Sequence, residues 1–234
     1  DQFNGIHEGL VQSWKDIFPK KGEIHFAGAL ENNEDTGTLQ YLASTAMEAG
    51  FSTRVLDMQA LDLQNGRFFD PAGELVNRCF KLYPWEWMVD ESPDGCLAEM
   101  EWLEPIWKLV MSNKAILATL YELFPDSPYV LPCYLSRPRS GLFCKKPVFS
   151  REGHNVSVVD IRDWEEYVRI AETEGDYNTG AYVYQEYVEP TAYSGRYPVI
   201  GSWIIGGEAA GIGIRENRME VTDNLSEFVP HIIG

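Results

Sequence analysis

Residues 22–58 change hydrophobic period twice, and this restricts the fold of the 234-residue chain more than any other feature. Residues 23–29 form an apolar strand candidate, and Asp35 or Thr36 can cap a helix after it. Leu39, Leu42, Ala43, Ala46 and Met47 then recur at helical spacing until Gly50 ends the run. Residues 51–57 return to a strand pattern. A strand, a helix and a strand in that order predict a parallel pair joined by a crossover.

Residues 74–124 read as mostly helical, rich in Trp and interrupted by Pro84, Pro93 and Pro105. From Tyr129 the texture turns to β, with strands expected near 129–135, 142–149, 155–160, 181–188, 198–205 and 208–215. One helix is expected among them. Asp160 can cap a run that puts Ile161, Trp164, Tyr167, Val168 and Ala171 on one face. Gly206-Gly207 between two apolar runs signals a tight hairpin. Together these elements predict an α+β architecture. A Rossmann-like α/β unit is expected over 1–75, a helical connecting region over 76–128, and an antiparallel sheet over 129–234. Residue 1 is Asp, and residues 1–4 run directly into a helical pattern (Leu10, Val11, Trp14, Ile17, Phe18), so upstream sequence is expected.

Composition narrows the partners. Seven Trp, twelve Tyr and eleven Phe in a chain that is 44% apolar supply a core and exclude a disordered segment. Nucleic acid is bound through clusters of Lys and Arg, whereas 19 basic residues here face 36 acidic ones, for a net charge of −17. Such a field favours a cationic partner such as a polyamine. Acidity that simply keeps a cytosolic protein soluble accounts for it as well. Cys79, Cys96, Cys133 and Cys144 have no C-x-x-C spacing, and His7, His25, His154 and His231 are equally isolated, so no structural zinc is expected. There is no apolar run of about eighteen residues and no signal peptide at the start, which predicts a cytoplasmic protein with no membrane partner.

Neither G-x-G-x-x-G nor the P-loop pattern occurs, which disfavours a dinucleotide dehydrogenase and a P-loop kinase. Residues 144–156 are more informative. A lysine-bearing strand runs into the polar loop 150–155 and returns as a strand. Such a loop can fold over a triphosphate, with Lys146 and Arg151 supplying charge and backbone amides completing a cradle. An ordinary hairpin with solvated charges fits equally well. Gln185-Glu186-Tyr187-Val188 ends an apolar strand, where backbone and an amide–carboxylate pair can hold adenine and ribose. An edge-strand polar pair is the plain alternative. Arg215 closes another strand, placed to hold a phosphate or acyl-phosphate oxygen, though strand-end salt bridges are common. Lys114, between Ser112-Asn113 and the helical 115–120, is a second phosphate ligand if it points inward and a solvated helix residue if it points outward.

The order of these features is more specific than any one of them. With 81–86 (Lys-Leu-Tyr-Pro-Trp-Glu), 102–108 (Trp-Leu-Glu-Pro-Ile-Trp-Lys), 112–115, 145–156, 185–186, 200–203 and 211–216, the chain resembles the ATP-grasp ligases of the glutathionylspermidine synthase family, in the stand-alone type without an amidase domain. The resemblance implies an ATP-grasp region over 129–234 and a pre-ATP-grasp unit before it. It further implies a magnesium- and ATP-dependent ligase that joins a peptide carboxylate to a polyamine-like amine through an acyl phosphate. Lys114 and Lys146 match the nucleotide-binding lysines, and Arg151 the arginine of the mobile loop. Gln185, Glu186, Tyr187 and Val188 match the adenine hinge, and Arg215 a phosphate-transfer arginine. Lys81, Trp85 and Glu86 match a segment on the peptide-substrate side. The magnesium ligands match nothing here and are expected in an upstream segment, so the 234 residues alone are expected to be inactive. Residues 31–36 resemble that metal motif only superficially. A catalytically degenerate relative that binds ATP or peptide is the second reading, and an unrelated acidic binding protein the third.

Overall fold

The computed structural model describes residues 2–163, 166–177, 180–219 and 226–233. It divides into two compact units, Asp1–Leu109 with Ser202–Ile212 and Val110–Gly201 with Gly213–Gly234. Both mix α and β. The chain begins with α1 (Ile6–Ile17), β1 (Glu23–Gly28), α2 (Asn33–Glu48) and β2 (Ser52–Asp57). Three short strands follow, β3 (Asp62–Gln64), β4 (Arg67–Phe69) and β5 (Leu75–Val76), then β6 (Arg78–Leu82). Next come α3 (Trp85–Glu91), α4 (Pro93–Cys96), β7 (Glu101–Leu103), α5 (Leu109–Ser112) and α6 (Ala115–Leu123). The remainder is β: β8 (Cys133–Tyr134), β9 (Gly141–Pro147), β10 (Ser157–Ile161), β11 (Tyr167–Glu172), β12 (Tyr182–Glu186), β13 (Tyr197–Ile205), β14 (Glu208–Asn217) and β15 (Glu227–Val229).

In the first unit β1 pairs in parallel with β2 through the α2 crossover. Ile24 and Phe26 of β1 are fully buried with Leu39, Ala43 and Ala46 of α2 and Val11 and Trp14 of α1. Each large apolar side chain so buried contributes about 1.5–3 kcal/mol. Trp14 satisfies its indole by donating to Thr45 Oγ1 at 2.9 Å. The helix cap differs from expectation. Asn32, not Asp35 or Thr36, accepts from the Glu34 N–H at 2.8 Å and opens α2.

The expectation of a mostly helical 74–124 is corrected. β6 and β7 extend the parallel sheet to the order β2-β1-β6-β7, and the helices between them are short. The strand at 78–82 alternates in burial, but one of its two buried side chains is Lys81, so the apolar period was broken where it mattered.

The second unit is built on an antiparallel sheet of order β11-β10-β9-β12-β8. The helix expected from Asp160 is instead a hairpin. Ser157 pairs with Glu172 and Ile161 with Tyr167, so Asp160 sits in a ladder opposite Val168. The apolar residues that suggested one helical face are split. Ile161 is buried, whereas Tyr167, Val168 and Ala171 are exposed; Trp164 lies outside the described residues. β13, β14 and β15 form a third sheet, and Gly206 and Gly207 turn its hairpin with φ of +61° and +88°. Two successive left-handed residues are what a tight two-residue hairpin needs.

Candidate functional site

β9 lies at the centre of the second unit's sheet, and its alternation decides which lysine lines a cleft. Cys144 and Lys146 face the same side as Val158 of β10 and Val183 and Gln185 of β12, their cross-strand partners. Lys145 faces the other side, its ammonium 3.9 Å from the centre of the Tyr182 ring. Lys146 Nζ donates to Gln185 Oε1 at 2.7 Å.

Lys114 reaches the same place from the start of α6. Its N–H donates to the Val148 carbonyl at 2.8 Å, tying the helix to the end of β9, and Asn113 Oδ1 accepts from the Ala115 N–H. The side chain points inward. Lys114 Nζ donates to the Ser150 carbonyl at 2.5 Å and to Ser150 Oγ at 2.9 Å. Lys114, Lys146 and Arg151 line one cleft of about 410 Å³. Its rim is the turn carrying Ser150, Arg151, Glu152 and Gly153, and its far edge is Gln185–Val188 with Pro190. Glu152, Gly153 and Asn155 all have left-handed φ, of +56°, +73° and +54°. Leu131, Val156 and Val158 supply apolar wall.

The edge segment is partly committed to the fold. The Glu186 and Tyr187 N–H groups donate to the Pro132 and Leu142 carbonyls at 2.8 and 3.0 Å. Among the described residues the Val188 N–H makes no such bond. Gln185 and Glu186 are consecutive strand residues whose side chains face opposite sides of the sheet, and both contribute to the lining of the cleft.

Burial pushes the Cys144 and Cys133 thiols up, and the opposing pull of the Lys146 charge is the smaller effect. Both stay protonated at neutral pH and are poor nucleophiles. Lys114, Lys146 and Arg151 share the lining with Cys144, Glu152 and Glu186.

The other residues singled out by sequence lie elsewhere. Arg215 is not among the residues lining the cleft. It is exposed on β14, opposite Phe228, with its guanidinium 5.9 Å from that ring centre. Lys81, Trp85 and Glu86 belong to the first unit. There Lys81 is buried, donates to the Tyr83 carbonyl at 2.7 Å and sits 3.8 Å from the centre of the Trp85 ring. Leu131, Cys144, Val156, Val158 and Pro190 were missed as lining residues. Period-2 alternation could have placed Val156 and Val158 beside Lys146, once the β9–β10 register was known.

A larger cavity of about 710 Å³ lies in the first unit, lined by Lys21, Glu23, His25, Arg78, Glu99 and Glu101 among others. Its charges are already answered within the fold, as Arg54–Glu23, Arg78–Glu101 and Arg67–Glu99 pairs, and Lys21 donates to the Ala49 carbonyl. In the smaller cleft Lys114 and Lys146 donate to carbonyl, hydroxyl and amide oxygens, and Glu152 and Glu186 also contribute to the lining.

The model of the family described as glutathionylspermidine synthase preATP-grasp matches residues 1–234. A Haemophilus influenzae protein described as a candidate acid–amine ligase is 35% identical, over 99% of this chain and 62% of that protein. Trypanothione synthetase of Crithidia fasciculata is 28% identical, over 88% of this chain and 35% of that one. The bifunctional glutathionylspermidine synthetase/amidase of Escherichia coli is 26% identical, over 98% and 42%. The chain thus spans less than two thirds of each of these relatives. A solved Methylobacillus flagellatus structure, described as a candidate gamma-glutamylcysteine synthetase, shares the fold with a TM-score of 0.62. It is 10% identical, over 98% of this chain and 75% of that one.

Proposed function

The chain belongs to the glutathionylspermidine synthase preATP-grasp family, and on that premise we propose that the whole protein is an ATP-dependent acid–amine ligase. It joins a glutathione-like peptide carboxylate to a polyamine-like amine through an acyl phosphate. The antiparallel sheet of the second unit is then the ATP-grasp nucleotide sheet, with the parallel sheet of the first unit as the pre-ATP-grasp part. The convergence of Lys114 and Lys146 on one cleft, under the Ser150–Gly153 turn, carries this reading.

The donor set fits a triphosphate. Two ammonium groups that donate to a carbonyl, a hydroxyl and an amide oxygen can exchange those neutral acceptors for anionic phosphate oxygens, which adds charge–charge attraction to the hydrogen bond. ATP bound here supplies the phosphoryl group that activates the carboxylate. Lys146 and Lys114 bind and orient the phosphates, and Arg151 in the turn stabilises charge as it develops. The turn keeps water from the reacting centre. The Val188 N–H and the apolar wall of Leu131, Val156 and Val158 serve the base. Among the described residues no group of three or more His, Cys, Asp or Glu could hold a metal ion. Magnesium is therefore part of the proposal for the whole protein, and no step is routed through it. The contribution of Arg215 rests on the resemblance alone. Its place outside the cleft favours one second reading: a relative that binds ATP or peptide without turnover.

Phosphate release by the full-length protein, supplied with ATP, magnesium and pools of peptides and amines, tests the reading. Release that requires both a peptide and an amine supports a ligase. ATP binding with no release under any pairing supports the second reading.

A further inference from the structure

Among the described residues, one side of the turn that rims the cleft is held by a cation of the cleft and another by a segment that does not line it. At its entry Lys114 grips Ser150 through carbonyl and hydroxyl. A triphosphate must compete for that ammonium, so the entry contact weakens just when the turn is needed.

The exit is held by a segment beyond β11. The Thr173 hydroxyl donates to the Gly153 carbonyl and accepts from the Val156 N–H at 3.0 Å, while the Thr173 N–H donates to the Val156 carbonyl at 2.9 Å. Two residues on, Gly175 packs directly under the turn. A Cβ there would lie 2.4 Å from His154 Cβ and 2.9 Å from Asn155 Oδ1. The Tyr177 N–H then donates to Asn155 Oδ1 at 2.8 Å. Gly153 and Asn155, two of the turn's left-handed residues, are thus held by a neighbouring segment that does not line the cleft. Left-handed φ in Glu and Asn costs of order 1 kcal/mol each and persists only where the surroundings impose it.

We propose that Thr173, Gly175 and Asn155 are positioning residues that hold the 150–155 turn in place over the nucleotide's phosphates while Lys114 changes partner. This rests on the reading of the cleft as an ATP site and names what keeps that site assembled. A contact serving stability alone would not distinguish one nucleotide from another. A clamp on the phosphate-covering turn affects ATP and spares AMP, whose base and ribose lie at the 185–188 edge.

The test uses the full-length protein and compares ATP and AMP affinities, with melting temperature measured free of ligand. Thr173→Val removes the hydroxyl at nearly constant volume, and the loss of two hydrogen bonds is expected to weaken ATP binding about tenfold. AMP affinity should stay within about twofold, and Thr173→Ser should restore ATP binding. Gly175→Ala should act in the same direction, and if it does not fold the Thr173 pair still decides. Equal ATP affinity in wild type and Thr173→Val overturns the clamp, as does an equal loss for ATP and AMP. Failure of the wild-type protein to bind ATP overturns the reading of the site itself, a separate result.

Discussion

The Lys146 ammonium and the Gln185 side-chain carbonyl meet at 2.7 Å across adjacent antiparallel strands, inside the cleft that also holds Lys114. A neutral acceptor keeps the lysine extended and in place without cancelling its charge. The arrangement is ready for an anion and makes the acceptor's neutrality matter.

Gln185→Glu converts that hydrogen bond into an ion pair and adds a negative charge beside the phosphates. ATP affinity of the full-length protein is expected to fall about tenfold, with the fold intact. Unchanged affinity by calorimetric titration would place the phosphates away from Lys146.

Arg215→Ala separates the resemblance from the geometry. If Arg215 acts at the phosphate-transfer site in the whole protein, turnover falls by about a hundredfold or more while ATP affinity stays within about twofold. An unaltered rate of phosphate release removes Arg215 from the mechanism.

His25 makes stability depend on pH. It is buried in β1, and burial holds its imidazole below the ordinary value, against the raising influence of Glu23 and Asp70 and with the lowering influence of Arg54. The unfolded chain therefore takes up the proton first as pH falls. The stabilisation is fully present above about pH 6.5 and is lost as pH falls through the lower folded value. Melting temperature should drop more steeply below about pH 6.5 in wild type than in His25→Phe. Parallel curves would show that His25 titrates alike in both states.

Gly28 ends β1 where a Cβ would lie 2.9 Å from Leu39 Cδ1 and 3.1 Å from the Leu82 carbonyl. Gly28→Ala is expected to destabilise the protein by about 1–3 kcal/mol through overpacking. A denaturant midpoint equal to wild type would mean that Leu39 yields at no cost.

What sequence made legible follows from where the information is local. The β1–α2–β2 crossover and the glycine hairpin at 206–207 are set by period and by backbone conformation, so they could be read directly. Lys146 and the 150–155 turn were legible for the same reason, as a strand running into a polar loop. The β10–β11 hairpin was misread because Ile161, Tyr167, Val168 and Ala171 fit helical spacing, while pairing with β9 and across the turn decided the outcome. The β6 strand was hidden by Lys81, whose burial depends on Trp85 and the Tyr83 carbonyl. Thr173 and Gly175 carry no motif, since their part depends on packing against a turn distant in sequence.

The most direct measurement is calorimetric titration of ATP into the full-length protein and its Lys146→Ala variant. The cleft as described requires wild-type binding, weakened about ten- to a hundredfold when the charge-assisted contact is removed. Equal affinity in the two proteins, or no binding in either, would contradict it.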